Sequence, residues 1–122
     1  AGQGGSGNFV DVLHSPKDVR ALQGAGSVHH VAFSTESDES QLIIQEQLLS
    51  AGYHATPVQD RNYFNSIYFR EPGGILFEIA TNPPGFSVDE PVSELGTTLK
   101  LPSQYEARRA KLEAELPQIV LK

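Results

Sequence analysis

The sequence contains no cysteine. Within this chain, that absence excludes disulfide bonds, thiolate nucleophiles and thiolate metal sites, so any metal ion has to be held by histidine and carboxylate side chains. Basic residues are also few, with 9 lysine and arginine residues against 15 aspartate and glutamate residues and a net charge of −6. This charge argues against nucleic acid as a partner, because contact with phosphates requires a basic surface.

Long hydrophobic runs are missing as well. No apolar stretch approaches the roughly 18 residues that predict a transmembrane helix, and the opening AGQGGSG lacks the apolar segment of a secretory signal peptide. We therefore expect no membrane partner and take a cytoplasmic location as the default. The 122 residues, 39% of them hydrophobic and 20% charged, suffice for one small globular domain with a modest core.

The spacing of apolar residues and turn formers predicts five strands and two helices. The strands are predicted at 8–13, 27–34, 54–60, 64–71 and 74–80, and the helices at 37–52 and 103–116. Asp38 with Gln41 resembles a capping box for the first helix, and Ser103 with Glu106 resembles one for the second. The stretch 82–102 is too rich in proline and glycine to predict regular structure.

Side-chain alternation divides the predicted sheet into two faces. The apolar face, which we expect to carry the helix 37–52, comprises Val31, Phe33, Ile67, Phe69, Ile75, Phe77 and Ile79. The opposite face collects His30, Tyr68, Arg70 and Glu78 among small residues. The order strand–helix–strand–strand–strand with one covered face indicates an α+β fold, a curved sheet whose concave polar side holds a site.

Glu78 is the most informative residue of this polar face, because it interrupts the apolar run ILFEIA. A buried glutamate without a partner costs several kcal/mol or becomes protonated. Its place in a covered strand therefore calls for a cation, either an arginine or a metal. Histidine and carboxylate on neighbouring strands are common ligands of Fe(II), Mn(II) and Zn(II). From the pattern alone, the interpretation that His30 and Glu78 lie on a surface that faces solvent is about as good as that of a metal site.

Several motifs carry a family resemblance. GSVHHVAF, the run VQDRNYFNSIYFREPGGILFEIATNPPGFSVDEP over 58–91, and the following ELGTTLKLP resemble the vicinal oxygen chelate superfamily, which includes glyoxalases, bleomycin-resistance proteins and extradiol dioxygenases. Within it, nearly the whole chain is similar to the C-terminal part of hydroquinone-type ring-cleaving dioxygenases. The resemblance implies βαβββ modules of the glyoxalase/dihydroxybiphenyl dioxygenase type, each a half-barrel with a curved mixed sheet and one covering helix, which pair around a metal.

The resemblance also implies roles for individual residues. His30 and Glu78 match two ligands of a two-histidine, one-glutamate Fe(II) site, for which Mn(II), Zn(II) or Ni(II) are alternative metals. Tyr68, Arg61 and His29 match catalytic residues around that site. Alternation points His29 away from the metal face, unless a bulge or the start of the strand turns it.

The same resemblance implies a division of the chain and an incomplete site. Residues 1–26 correspond to the last strand of a preceding module and a linker, 27–81 to the metal-binding βαβββ module, and 82–122 to a C-terminal wrapping loop and helix. The third ligand of the family lies in the N-terminal half, and neither His14 nor His54 matches it. We therefore expect a fragment or one half of an assembly, completed by an N-terminal half or by a second copy in a homo-oligomer.

The expected function is that of a non-haem Fe(II) dioxygenase that cleaves a small aromatic substrate, a hydroquinone or catechol, with O2. Two alternatives stay open. Two copies that each donate His30 and Glu78 would form a two-histidine, two-glutamate site like that of glyoxalase I, a metal-dependent lyase or isomerase using Ni or Zn. A half-barrel without metal would be a non-catalytic ligand-binding protein.

Overall fold

A computed structural model describes Gly5 and residues 8–15 and 22–117. In this range the strands are β1 (Val31–Thr35), β2 (Gln59–Asp60), β3 (Phe64–Arg70) and β4 (Leu76–Pro84), and the helices are α1 (Asp38–Ser50) and α2 (Arg109–Glu115). Short 3-10 turns occupy Phe86–Val88, Val92–Glu94 and Ser103–Arg108. No helix in the described part of the chain is long and apolar enough to cross a membrane.

The four strands form one mixed sheet in the order β1-β4-β3-β2. β1 runs parallel to β4, whereas the β2–β3 and β3–β4 pairs are antiparallel. The parallel pair requires a crossover between the two strands, and α1 lies within that crossover. The predicted α+β fold with a βαβββ module and a C-terminal helix is confirmed.

α1 packs on the apolar face of the sheet, against β1, β3 and β4. Ile67 and Ile79 are buried there, and the ring of Phe77 meets Phe33 and Phe69 edge to face, with centroids 5.2 and 5.7 Å apart. Ile75 was expected on this face, but it precedes β4 and is 54% exposed. The core under the helix is therefore small.

The ends of α1 are set by local hydrogen bonds. The capping box uses Ser37 and Ser40, whose side chains each bond to the other's backbone N–H, so the box predicted from Asp38 and Gln41 is wrong by one residue. Gly52 follows the helix with φ of 86°, a left-handed conformation that an L side chain adopts only at a cost.

Several other boundaries differ from the prediction. Residues 8–13, predicted as a strand, lie outside the sheet and are exposed, since no strand of the described structure pairs with them. The predicted strand 27–34 corresponds to a strand that begins later and ends one residue later, Val31–Thr35, and of the predicted strand 54–60 only Gln59–Asp60 is strand. β4 continues past the predicted end at Ala80, because Phe64 pairs with Pro84 across an irregularity in the ladder.

The C-terminal segment differs from the prediction in two places, the stretch 82–102 and the start of the second helix. The stretch 82–102 contains two short 3-10 turns. The second helix begins as a 3-10 turn and has no side-chain cap: the Glu106 carboxylate accepts from the Arg109 guanidinium instead of a backbone N–H. The proposed limits 1–26, 27–81 and 82–122 remain a prediction, and residues 1–4, 6–7, 16–21 and 118–122 of them lie outside the described residues.

Candidate metal centre

Glu78 lies in the middle of β4, paired with Ala32 of β1 on one side and with Tyr68 of β3 on the other. Only 3% of its surface is exposed. The strand thus places a carboxylate inside the sheet, on the side opposite α1. Burial of this kind requires that the carboxylate oxygens find donors or a cation.

The two oxygens of Glu78 have different surroundings. Oε1 accepts hydrogen bonds from the Tyr68 hydroxyl, at 3.0 Å, and from the Ser66 hydroxyl. Oε2 lies 2.8 Å from Nε2 of His30. Because Oε1 has two hydroxyl donors already, Oε2 is the oxygen left to face a cation beside His30.

Ser66 is a site residue that the sequence reasoning missed. It is fully buried and belongs to the same face as Tyr68, two positions before it on β3. Alternation placed it on that face, but only the register, which pairs Ser66 with Ala80, brings its hydroxyl to Glu78. The signal in the sequence that could have identified Ser66 is its position two residues before Tyr68, on the same face of the strand.

His29 and His30 directly precede β1, so strand alternation does not govern their directions. Nδ1 of His29 lies 2.8 Å from Nδ1 of His30, and the rings meet at 88°. In such a contact one nitrogen donates and the other accepts, so His29 sets the tautomer and the ring orientation of His30. The start of the strand brings His29 to the site by contact with His30, despite the alternation that pointed it away.

Arg61 joins the cluster from the turn after β2. In that turn, the Asp60 carboxylate accepts the N–H of Asn62 at 2.7 Å. Nη2 of Arg61 donates to the Tyr68 hydroxyl at 3.2 Å, and the guanidinium carbon lies 5.4 Å from the centre of the tyrosine ring. Arg61, Tyr68 and Glu78 therefore form a continuous hydrogen-bonded chain.

The two remaining histidines lie apart from this cluster. His14 is exposed. His54 lines an open cleft of about 630 Å³ that shares Tyr68 with the cluster but contains neither His30 nor Glu78. Among the residues that the structure describes, no group of three or more histidine, cysteine, aspartate or glutamate side chains is placed to hold a metal.

His30 and Glu78 fit two ligands of a divalent metal. Histidine nitrogens and carboxylate oxygens bind such metals at about 2.0–2.2 Å. The 2.8 Å between Nε2 of His30 and Oε2 of Glu78 brings one imidazole nitrogen and one carboxylate oxygen, the donor types that such metals take, to the same point of the sheet. The His30 side chain is 36% exposed and that of Glu78 is 4% exposed, so the pair is reached from the open face of the sheet.

Residues 4–79 match the model of the Glyoxalase/Bleomycin resistance protein/Dioxygenase superfamily. The chain belongs to this superfamily. This confirms the family that the motifs GSVHHVAF and YFREPGGILFEIAT had indicated.

Individual superfamily members extend the likeness over nearly the whole chain. MhqO of Bacillus subtilis (strain 168), named a ring-cleaving dioxygenase, is 52% identical over 93% of this chain and 36% of its own length. MhqA of the same organism, also named a ring-cleaving dioxygenase, is 44% identical over 98% of this chain and 38% of its own length. The chlorohydroquinone/hydroquinone 1,2-dioxygenase of Sphingobium indicum is 37% identical over 91% of this chain and 35% of its own length.

A solved structure agrees with these relatives. The crystal structure of a Bacillus subtilis protein described as a dioxygenase superposes with a TM-score of 0.78 and 53% identity, over 82% of this chain and 32% of that chain. The chain thus spans about a third of the length of the relatives that it matches. The activity of a whole protein of this kind is therefore a proposal for this chain.

Proposed function

We propose that this chain is the metal-binding module of a ring-cleaving dioxygenase that acts on hydroquinone- or catechol-type substrates with O2. The observation that carries the proposal is the approach of His30 Nε2 to Glu78 Oε2 at 2.8 Å on a buried, otherwise hydrogen-bonded carboxylate. The names of the relatives supply the reaction class. They favour a dioxygenase over the glyoxalase I-like and the non-catalytic alternatives.

The metal would be Fe(II) first, with Mn(II), Zn(II) or Ni(II) as other candidates, held by the neutral imidazole of His30 and by Oε2 of Glu78. When bound, it supplies Lewis-acid activation of the aromatic oxygen and a binding place for O2. Ser66 and Tyr68 hold the other oxygen of Glu78 and so fix the direction of Oε2. His29 fixes the ring of His30.

Tyr68 and Arg61 provide the polar groups nearest to a substrate at this site. The Tyr68 hydroxyl carries a proton that it shares with Glu78, and it accepts from Arg61. A substrate phenol beside the metal donors would come within reach of this hydroxyl, which can exchange a proton with it. The Arg61 guanidinium keeps its charge at every relevant pH and would stabilise negative charge that develops on the substrate oxygen.

The described residues supply only two donors, and the relatives are about three times as long. We therefore propose that the remaining ligand comes from another module, either an N-terminal half or a second copy of this chain. A homo-oligomer would satisfy the second case. The first case predicts weak metal binding by the chain alone, whereas in the second case metal binding strengthens as the chain pairs with itself.

The experiment is a titration of the 122-residue chain with Mn(II), followed by the NMR signals of the histidine rings. We expect the His30 and His29 signals to broaden first and most strongly as Mn(II) is added, because paramagnetic broadening falls off steeply with distance from the ion. His30→Ala should abolish the effect, whereas the control His54→Ala, in a cleft that contains neither His30 nor Glu78, should leave it unchanged. Broadening that does not depend on His30 would reject the site.

Activity is tested by O2 consumption on hydroquinone. The chain is assayed with Fe(II), alone and after mixing with a separately produced N-terminal half of a relative such as MhqO. We expect uptake only in the assembled state and its loss in the Glu78→Gln variant. Turnover of a glutathione hemithioacetal in place of O2 consumption would instead favour the lyase alternative.

A further inference from the structure

Gln41 is the one residue of α1 that is buried. It lies on the helix side of the sheet, across from the metal donors, and none of its surface is exposed. Its Nε2 donates to two backbone carbonyls, that of Asn65 at 2.9 Å and that of Ile79 at 2.8 Å. One side-chain amide thus joins β3 and β4 from the helix.

The two carbonyls belong to the neighbours of site residues. Ile79 directly follows Glu78, and Asn65 directly precedes Ser66, whose hydroxyl donates to Glu78. The contact of Gln41 therefore acts on the two peptide segments that present the Ser66–Glu78 hydrogen bond on the other face.

The ladder between β3 and β4 becomes irregular at the same place. Ser66 pairs with Ala80, but the pairing shifts between Phe64 and Ser66. The N–H of Asn65 is taken by the Thr81 side chain, at 2.9 Å, in place of a ladder carbonyl. Side chains thus substitute for ladder bonds at the end of the regular pairing, where a sheet is free to splay.

Gln41 is a poor choice if it only fills the core. Its Oε1 is buried and has no hydrogen-bond partner among the described residues, which is unfavourable. A methionine would occupy a similar volume without an unpaired oxygen. The unpaired Oε1 is thus the cost of the two hydrogen bonds that Nε2 donates.

We infer that Gln41 is a positioning residue for the metal centre: by holding the carbonyls of Asn65 and Ile79, it fixes the backbone that presents Ser66 and Glu78. This inference rests on the proposed function, because it assumes that Glu78 binds the metal. Groups behind the ligands of a metal typically change its affinity by 10–100-fold when they are removed.

The test compares Gln41→Met with the matched control Gln45→Met. Gln45 lies one turn further along α1, and its Nε2 also donates to a backbone carbonyl, that of Thr56 at 2.6 Å. We expect Gln41→Met to weaken the Mn(II) affinity about tenfold, the lower end of the range, since Gln41 acts through the backbone. Gln45→Met should bind Mn(II) within twofold of the unsubstituted chain.

A second readout does not depend on metal. Amide hydrogen exchange at Ser66 and Glu78, measured with a chelator present, should be faster in Gln41→Met and unchanged in Gln45→Met. If Gln41→Met does not fold, Thr81→Val replaces it, because it frees the N–H of Asn65, the residue whose carbonyl Gln41 holds, and the same two effects are expected.

The outcomes separate the two proposals. A folded Gln41→Met protein with Mn(II) affinity within twofold of the unsubstituted chain overturns the positioning role. If Mn(II) binding of the unsubstituted chain does not depend on His30, the proposed metal site fails. In that case the exchange data alone decide whether Gln41 fixes the backbone that presents Ser66 and Glu78. Unchanged exchange at these two residues in Gln41→Met overturns that role, and faster exchange supports it as a role in the sheet that involves no metal.

Discussion

Replacement of Ser66 by alanine measures how firmly the buried carboxylate is held. Ser66 is fully buried, and its hydroxyl donates to Oε1 of Glu78. A hydrogen bond to a charged group contributes about 1.5–3 kcal/mol. Tyr68 still donates to the same oxygen, at 3.0 Å, so Glu78 keeps a partner. We therefore expect a loss near the lower end, about 1.5–2 kcal/mol of unfolding free energy.

The assay is urea unfolding followed by circular dichroism at neutral pH, with a chelator present. The control is Ser34→Ala, an exposed serine on the same face, paired with Ala80, which should change stability by less than about 0.5 kcal/mol. A double-mutant cycle with Glu78→Gln should give a coupling energy of about 1 kcal/mol between Ser66 and Glu78. The reasoning is refuted if Ser66→Ala costs no more than Ser34→Ala, or if the cycle shows no coupling.

Three further predictions concern the scaffold. The Glu71 carboxylate accepts hydrogen bonds from two backbone N–H groups of the following turn, which lowers its pKa. The ionised carboxylate therefore stabilises the folded state above about pH 4.5. This stabilisation is lost as the pH falls through the lower pKa of the folded state. Glu71→Gln should flatten the pH dependence of the urea midpoint between pH 7 and 3, and an unchanged pH profile would contradict this. Ile67→Ala, at a fully buried position, should cost about 2–5 kcal/mol in urea unfolding, against a much smaller loss for exposed Ile75→Ala. Gly52→Ala, at φ of 86°, should lower stability by about 1–2 kcal/mol, whereas Gly24→Ala, without positive φ, should be close to neutral; equal effects would disprove the backbone argument.

The polar face of the sheet could be predicted because strand alternation is strictly periodic. Within β3 and β4 the period of two places Tyr68 and Glu78 on one side, and the structure pairs them directly. Alternation fails for His29, because the strand begins only at Val31. Arg61 lies in a turn, where no period exists, so only the family resemblance pointed to it.

Gln41 and Ser66 show what a linear pattern does not contain. Gln41 was assigned to a capping box, because a glutamine near a helix start fits that motif. The true box begins one residue earlier, and this turns Gln41 towards the sheet, where it reaches two carbonyls. The hydroxyl of Ser66 reaches Glu78 only because of the register between β3 and β4. Both features depend on contacts between distant segments, which single-sequence patterns do not encode.

Glu78 meets its partners through two kinds of strand pairing. β3 and β4 form a hairpin, so Ser66, Tyr68 and Glu78 can assemble through local contacts. His30 arrives with β1, which pairs in parallel with β4 across α1 and the hairpin and lies at the edge of the sheet. Such non-local pairs form late, and we expect edge pairs to open first. The proposed donor pair would thus close in the last step of folding, and a cation shared by His30 and Glu78 would favour the closed sheet over the form in which β1 has detached.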